Sequence, residues 1–503
     1  MGPAPTQRVG HGADIAAPAR TAPARFPDPL GSRVAEDCRC FKTGLAGVAP
    51  SASDRAPPAC APWLSWCPCP LPEGCTVDDS ASEPQDIHRR RVLGLNGPAD
   101  GAAPVAPAGG SGATAPTPFK VDIPDHVLGE IKRRVVDCNF PRTGPTGWDI
   151  GPDHASMRRL ADYWCTGYDW RAQERRINRF PQYRVAISGD LLHYVHAQAP
   201  GSNGKVLVIL HGWPYTFASL LGLVDPLIHP ERHGGNAQDA VDVVIPSLPG
   251  FAFSESAQTP IGPRAMACRI DTLVTEVLGY NSYRAHGGDW GGYIASWLGY
   301  EHPRCVAVDL TVSLRNSGLR TGIVDPGVGE ISPEDRAKTI EAQGTLQRSF
   351  AYFQQQGYRP TTIGYFSDSP VGAAQWIIDK YYLWSDRRIR SFEQIFSMDQ
   401  LLTEVMLYVA TDSFATGLWV YEGAYEEDGN TLPRGARVER PTGFSAFPDP
   451  LVPPPTRAEL QEVYDVVQYA QFDSGGHFPF YENPSALLQG IGEFLQVTTG
   501  LTS

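Results

Sequence analysis

The stretch HGGDWGG, His286 to Gly292, restricts the possible folds of this chain more than any other. Glycines cluster where the backbone turns sharply or where a Cβ would strike a neighbouring segment. Tyr283 to His286 reads as a strand, and the run from Gly291 (Gly-Tyr-Ile-Ala-Ser-Trp-Leu-Gly-Tyr) reads as a helix. The chain must therefore pass from strand to helix in one tight bend, with Asp289 and the bulky Trp290 inside it. Such a bend lifts its central side chain clear of the backbone at a helix N-terminus, where the dipole favours negative charge. A serine there would read as an acyl-transfer nucleophile; this chain has a carboxylate. A plainer alternative has Asp289 capping its own helix, and the heptapeptide alone does not separate the two.

The flanking pattern supplies the sheet that such a bend needs. Val206-Leu-Val-Ile-Leu210 is a short continuous apolar run, as parallel strands covered on both faces require. Val243–Ile245 and Val306–Leu310 are similar, and strands alternating with helices point to an α/β sheet. From about 315 to 430 the strand pattern stops and helices rich in Tyr, Trp and Phe replace it, one opening at Ser369-Pro370. Strand signals resume at 442–447 and 466–472. Ahead of the sheet, Asp125 is placed to cap a helix with the apolar face Val127, Leu128, Ile131 and Val135, and a second helix runs from Asp153 to Trp164. Tyr183–Ile187 and Leu191–Val195, joined through Ser188-Gly189-Asp190, form a hairpin. His193 and His196, three apart on a strand, face opposite sides and make no metal pair. The expected order is a meander with the first strands over 118–200, core over 201–314, helical lid over 315–430 and core again over 431–503.

Two further elements give the bend a chemical reading. Strand 206–210 ends in His211-Gly212-Trp213-Pro214. In the α/β-hydrolase fold the nucleophile sits on a small-x-nucleophile-x-small elbow, and that upstream loop supplies one oxyanion N–H. The residue after the nucleophile supplies the other, which assigns the N–H groups of Trp213 and Trp290. Gly475-Gly476-His477-Phe478 follows the last strand, in the chain order nucleophile, acid, histidine that this fold uses. The acid belongs on the loop after strand 442–447, where Asp449 lies between Pro448 and Pro450 and would orient the imidazole.

A carboxylate nucleophile changes the substrate class. It displaces a leaving group at saturated carbon, so that its own side chain becomes the acyl part of an ester. Water activated by His477 then attacks the Asp289 carbonyl carbon, the step that an oxyanion hole serves. The electrophile is a strained ring oxygen, which needs proton donors opposite the nucleophile, or a halide, which needs only N–H donors.

The motifs together resemble the microsomal-type epoxide hydrolases over roughly residues 118–497. They comprise Pro118-Phe119, Tyr163-Trp164, Tyr168-Asp-Trp-Arg171, Asn178-x-Phe180-Pro-Gln182, HGWP, Pro246-Ser-Leu-Pro-Gly-Phe251, HGGDWGG, Asp368-Ser-Pro370 and Gly475-Gly-His-Phe478. The resemblance implies conversion of an epoxide and water to a vicinal diol, without cofactor or metal, with two lid tyrosines as proton donors. These fall on Tyr352, ahead of the Gln356–Pro360 stretch, and on Tyr421; Tyr358 is a secondary candidate for substrate contact. The family commonly carries its acid one position later, where this chain has Pro450, so Asp449 serves if the loop shifts by one residue. A haloalkane dehalogenase with the same nucleophile, and a non-catalytic ligand-binding protein on the same fold, are the competing readings.

Composition bounds the rest. A net charge of −13 argues against a nucleic-acid surface, and no apolar run is long enough for a membrane span. Residues 1–117 are rich in Pro, Ala, Gly, Ser and Arg without hydrophobic period, the composition of a disordered segment. Within them His88-Arg-Arg-Arg-Val-Leu-Gly-Leu95 resembles a twin-arginine export signal, but its distance from residue 1 and Asp100 in the would-be apolar region favour a cytoplasmic reading. Six of ten cysteines lie in this segment without zinc spacing, and Cys138, Cys165, Cys268 and Cys305 are expected as core fillers. Homo-oligomerisation is left open.

Overall fold

The computed structural model describes Gly2, residues 114–314 except 143, 145, 201 and 203, and residues 350–501 except 434. The export-like stretch at 88–95, the six early cysteines and nearly all of the expected disordered segment lie outside the described residues.

Strand β1 (Thr117–Phe119) begins one residue ahead of the expected boundary. Helix α1 (Asp125–Val136) buries Val127, Ile131 and Val135, with Leu128 packed at the edge. Asp125 does not cap it; it is the first helical residue, and its carboxylate pairs with Arg171 instead. Asp153 does cap α2 (His154–Thr166), accepting from the Ser156 N–H at 2.8 Å. After α3 (Trp170–Ile177), β2 (Gln182–Ile187) and β3 (Asp190–Ala197) form the hairpin. Its turn residues Ser188 and Gly189 have φ of 55° and 91°, the paired positive values whose twist suits a two-residue hairpin.

Among the described residues one nine-stranded sheet has the order β1-β2-β3-β5-β4-β6-β7-β8-β9. Its parallel part is β4 (Val206–Leu210), β5 (Asp242–Pro246), β6 (Tyr283–Gly287), β7 (Cys305–Leu310), β8 (Val438–Ala446) and β9 (Tyr464–Gln471). Helices α4 (Pro263–Thr272) and α5 (Asp289–Glu301) and the C-terminal α10 (Pro484–Val497) connect or cover the strands. Every residue of β4 and β5 is buried, which is why these strands read as unbroken apolar runs. In the β4–β6 register Leu210 pairs with Gly287, so the loop after β4 and the bend after β6 leave the sheet side by side. That alignment positions the site.

The lid lies in sequence between β7 and β8. Its long helices are α6 (Ala351–Tyr358), α7 (Pro370–Trp384), α8 (Met398–Val409) and α9 (Trp419–Glu426). Ser369 caps α7, accepting from the Gly372 N–H at 3.1 Å, with Pro370 in the first turn as the sequence suggests. Of the four later cysteines Cys305 lies in the core and Cys138 and Cys165 pack half-buried against it, but Cys268 is exposed, contrary to expectation. A thiol on the outer face of an amphipathic helix such as α4 has no core to fill.

Candidate active site

The bend itself comes first. Asp289 adopts φ of 50°, a left-handed conformation costing a non-glycine residue on the order of 1–3 kcal/mol. The neighbouring glycines make it feasible: a Cβ on Gly287 would strike the Gly291 carbonyl, and one on Gly291 the Leu210 carbonyl. The residue capping α5 is Gly288, and no side chain caps the helix. Asp289 is therefore free to point elsewhere, and the helix-capping alternative falls. His286 at the head of the motif stays inside the sheet, its Nδ1 2.7 Å from Asp309.

Both Asp289 oxygens are engaged. Oδ1 accepts the Trp213 backbone N–H at 2.8 Å, and Oδ2 lies 3.2 Å from His477 Nε2. The HGWP loop can approach this closely because residue 212 is glycine; a Cβ there would collide with Oδ1. His211 braces the loop: its buried ring donates to the Gly212 carbonyl and accepts the Leu248 N–H at 3.0 Å. Burial lowers its pKa to about 4, keeping the ring neutral for that acceptor role. The N–H of Trp290 sits in the first turn of α5, where backbone donors lack an intrahelical acceptor.

His477 Nδ1 lies 2.6 Å from Asp449 Oδ2. The loop question raised by Pro450 is answered by a local closure: Asp449 Oδ1 accepts the N–H groups of Leu451 at 2.7 Å and Val452 at 3.3 Å. This turn aims Oδ2 at the imidazole without help from residue 450. Asp289, His477 and Asp449 thus form one continuous hydrogen-bonded line. Burial alone would lower the His477 pKa, but the Asp449 charge and the hydrogen bonds that the ring donates to both carboxylates outweigh it and raise the pKa to about 10. The paired glycines ahead of it serve contact and turn: Gly475 has φ of 105°, and a Cβ on Gly476 would press on the Asp386 N–H.

Opposite this line stand lid aromatics. Tyr352 and Tyr421 are 8 % and 1 % exposed, with ring centroids 6.0 Å apart, and both pack on the Trp213 indole. Burial first, and then the Asp289 charge in Tyr352 or Tyr352 and Asp289 in Tyr421, raises both phenols well above their ordinary range. They keep their protons and so have one to donate. The Tyr421 hydroxyl meets hydrogen-bond geometry with no described group, although Tyr352 and Trp290 lie close enough to influence it. Tyr358 is not brought to this cluster: it is 65 % exposed and stacks on Tyr425 at 4.8 Å. Sequence reasoning missed Trp384, set edge-on to the His477 ring at 5.0 Å, and Phe353, packed on both Trp290 and Tyr421. In a lid full of aromatics, only the position of Phe353 beside Tyr352 was a signal. Among the described residues no cluster of His, Cys, Asp and Glu suits a metal ion, and no helix is long and apolar enough to cross a membrane.

The sheet, the elbow and the histidine past the last strand define an α/β hydrolase. Its sequence profile matches residues 207–489, and that of the epoxide hydrolase N terminus matches residues 116–220. Among relatives, a provisionally named epoxide hydrolase of Stigmatella aurantiaca is 33 % identical over 75 % of this chain and 84 % of its own length. Juvenile hormone epoxide hydrolase 1 of Ctenocephalides felis is 30 % identical over 74 % of this chain and 84 % of its own. The solved epoxide hydrolase of Aspergillus niger aligns with a TM-score of 0.62 at 26 % identity, covering 76 % of this chain and 97 % of that one. The chain belongs to the microsomal-type epoxide hydrolases, and it is a hydrolase.

Proposed function

We propose that the chain opens an epoxide through a covalent ester on Asp289 and releases a vicinal diol. Asp289 Oδ2 attacks a ring carbon while Oδ1 stays on the Trp213 N–H. The C–O bond of the ring breaks, and the departing oxygen takes a proton from Tyr352 or Tyr421. Esterification removes the Asp289 charge, one of the two anions that hold a proton on His477. With only Asp449 left the imidazolium gives up its proton, through solvent, to the phenolate left by ring opening, and the neutral ring then accepts a proton from water. The water oxygen adds to the Asp289 carbonyl carbon, and the oxyanion forms where the Trp213 and Trp290 N–H groups point. Collapse breaks the bond to the ester oxygen, which takes a proton from His477 as the diol leaves, and the new Asp289 carboxyl then returns its proton to His477. Added water ends up in the carboxyl of Asp289, and the carboxyl oxygen passes to the diol.

The carrying observation is the hydrogen-bonded line Asp289–His477–Asp449 facing two protonated phenols. Halide displacement would need no such phenols, which weighs against the dehalogenase reading. With His477→Gln and a panel of aryl and alkyl epoxides, intact-protein mass spectrometry should show an adduct of substrate mass on Asp289, with steady-state turnover reduced on the order of 10³-fold or more. Absence of any adduct across the panel, together with no diol from the unmodified enzyme, overturns the reading.

A further inference from the structure

Several buried carboxyls take no part in this mechanism, and one of them joins the lid to the core. Glu404 on lid helix α8 is 0 % exposed and touches neither the nucleophile nor the base. Its Oε2 accepts the Thr216 backbone N–H at 2.8 Å. Its Oε1 accepts the Ser219 hydroxyl at 2.7 Å and, at 3.4 Å, the hydroxyl of Tyr481. These partners come from the two core segments that matter for ester hydrolysis. Thr216 and Ser219 continue the HGWP loop, and Tyr481 lies on the one-turn helix Pro479–Glu482 just past His477.

The HGWP loop is fastened at successive points. The Trp213 N–H meets Asp289, the Tyr215 hydroxyl donates to the Gly288 carbonyl at 3.1 Å, and the Thr216 N–H meets Glu404. A buried carboxylate is a costly way to seat a lid helix. Leu401, Leu402, Val405 and Met406 on the same helix already bury apolar surface. What the carboxylate adds is direction, because two fixed oxygens hold a backbone N–H and a hydroxyl at set angles. Burial raises the Glu404 carboxyl to about 7, and the three hydrogen bonds oppose that rise. The Thr216 N–H can only donate, and an amide in place of the carboxylate would force one of the two hydroxyls to turn round and accept.

We infer that Glu404 is a positioning residue for the second half-reaction, fixing from the lid the loop that presents the Trp213 N–H and steadying the segment behind His477. The inference rests on the ester mechanism proposed above. Alkylation also keeps Asp289 Oδ1 on the Trp213 N–H, but its new charge develops at the lid phenols, which Glu404 does not hold. Hydrolysis needs the Trp213 N–H at the site of the new oxyanion, and that placement depends on Thr216.

The test is single-turnover kinetics with an epoxide that the unmodified enzyme hydrolyses, following ester formation and ester loss separately by quenched-flow mass spectrometry. In Glu404→Gln, ester loss should slow by about tenfold or more, as losing a charged acceptor does, so the Asp289 ester accumulates. Ester formation should stay within about threefold. Ser219→Ala, a milder change that leaves the carboxylate in place, should shift ester loss the same way by roughly threefold. Unchanged ester loss in both variants overturns the inference, as does an equal fall in both steps accompanied by a lower melting temperature. If the unmodified enzyme forms no ester at all, the mechanism falls and this inference with it. Normal turnover in Glu404→Gln sinks this inference alone.

Discussion

The two sides of the site are held in opposite ways. On the core side every side-chain oxygen and ring nitrogen of Asp289, His477 and Asp449 has a partner. On the lid side the Tyr421 hydroxyl has none among the described residues, and where its ring packs on the core loop the Trp213 indole N–H has none either. Leaving a buried donor unpaired costs roughly 1–3 kcal/mol. The difference teaches which part is fixed before substrate arrives. Asp289, His477 and Asp449 are aligned as they stand, whereas on the proposed mechanism the Tyr421 hydroxyl would gain its partner from the epoxide oxygen.

The largest test breaks the core side. Asp289→Ala removes the attacking oxygen and the acceptor of the Trp213 N–H together. Diol formation should fall on the order of 10⁴-fold or more, because no other group in the line can form the ester. A fall of less than about tenfold would mean that His477 delivers water straight to the substrate. The Asp289–His477 contact would then be a resting ion pair and no more.

The lid side should respond more gently and in a different step. Tyr352→Phe and Tyr421→Phe each keep the ring and its packing on Trp213, so only the donated proton is lost. Each should slow ester formation roughly tenfold while the other phenol still serves, and the pair together by about 10²-fold or more, in the usual range for a general acid. Stopped-flow alkylation rates with the two single variants and the double variant measure this. Ester loss should be unaffected, the reverse of the pattern expected for His477→Gln. Equal effects on both steps would place the phenols in the hydrolytic half and erase the division between the two sides.

The same division explains what could be read in advance. The core side depends on short-range constraints that leave marks in sequence: glycines at 287 and 291 where any Cβ collides, apolar runs in β4 and β5, and a histidine past the last strand. Asp449 was legible as the one acid on its loop, but its aim was not, because that depends on a turn closed by the Leu451 and Val452 N–H groups. The lid is harder. Its aromatic side chains look alike whether they line the site or pack behind it, and helical spacing says only which residues share a face. Tyr352 and Tyr421 were identified by resemblance alone, and Trp384 and Glu404 carried no local signal. The early segment to residue 113 is a compositional reading that, Gly2 apart, lies outside the described residues.

Tyr358 gives the smallest effect and the sharpest edge to the comparison. It ends the helix on which Tyr352 lies, and six residues at about 100° each place it roughly 240° further round. The first tyrosine is therefore buried against Trp213, while the second is mostly in solvent against Tyr425. A tyrosine chosen for its hydroxyl and one kept for its ring respond differently to the same change. Tyr358→Phe retains the stack, so kcat/KM for any epoxide should stay within about twofold. Tyr358→Ala loses an exposed aromatic pair, on the order of 1 kcal/mol or less, and should lower the melting temperature by about 2 °C or less with kcat/KM again unchanged. A tenfold loss in Tyr358→Phe would show that this hydroxyl reaches the substrate during turnover. The outer face of α6 would then have to rotate inward, and the lid would be a moving part where the present geometry makes it a fixed wall.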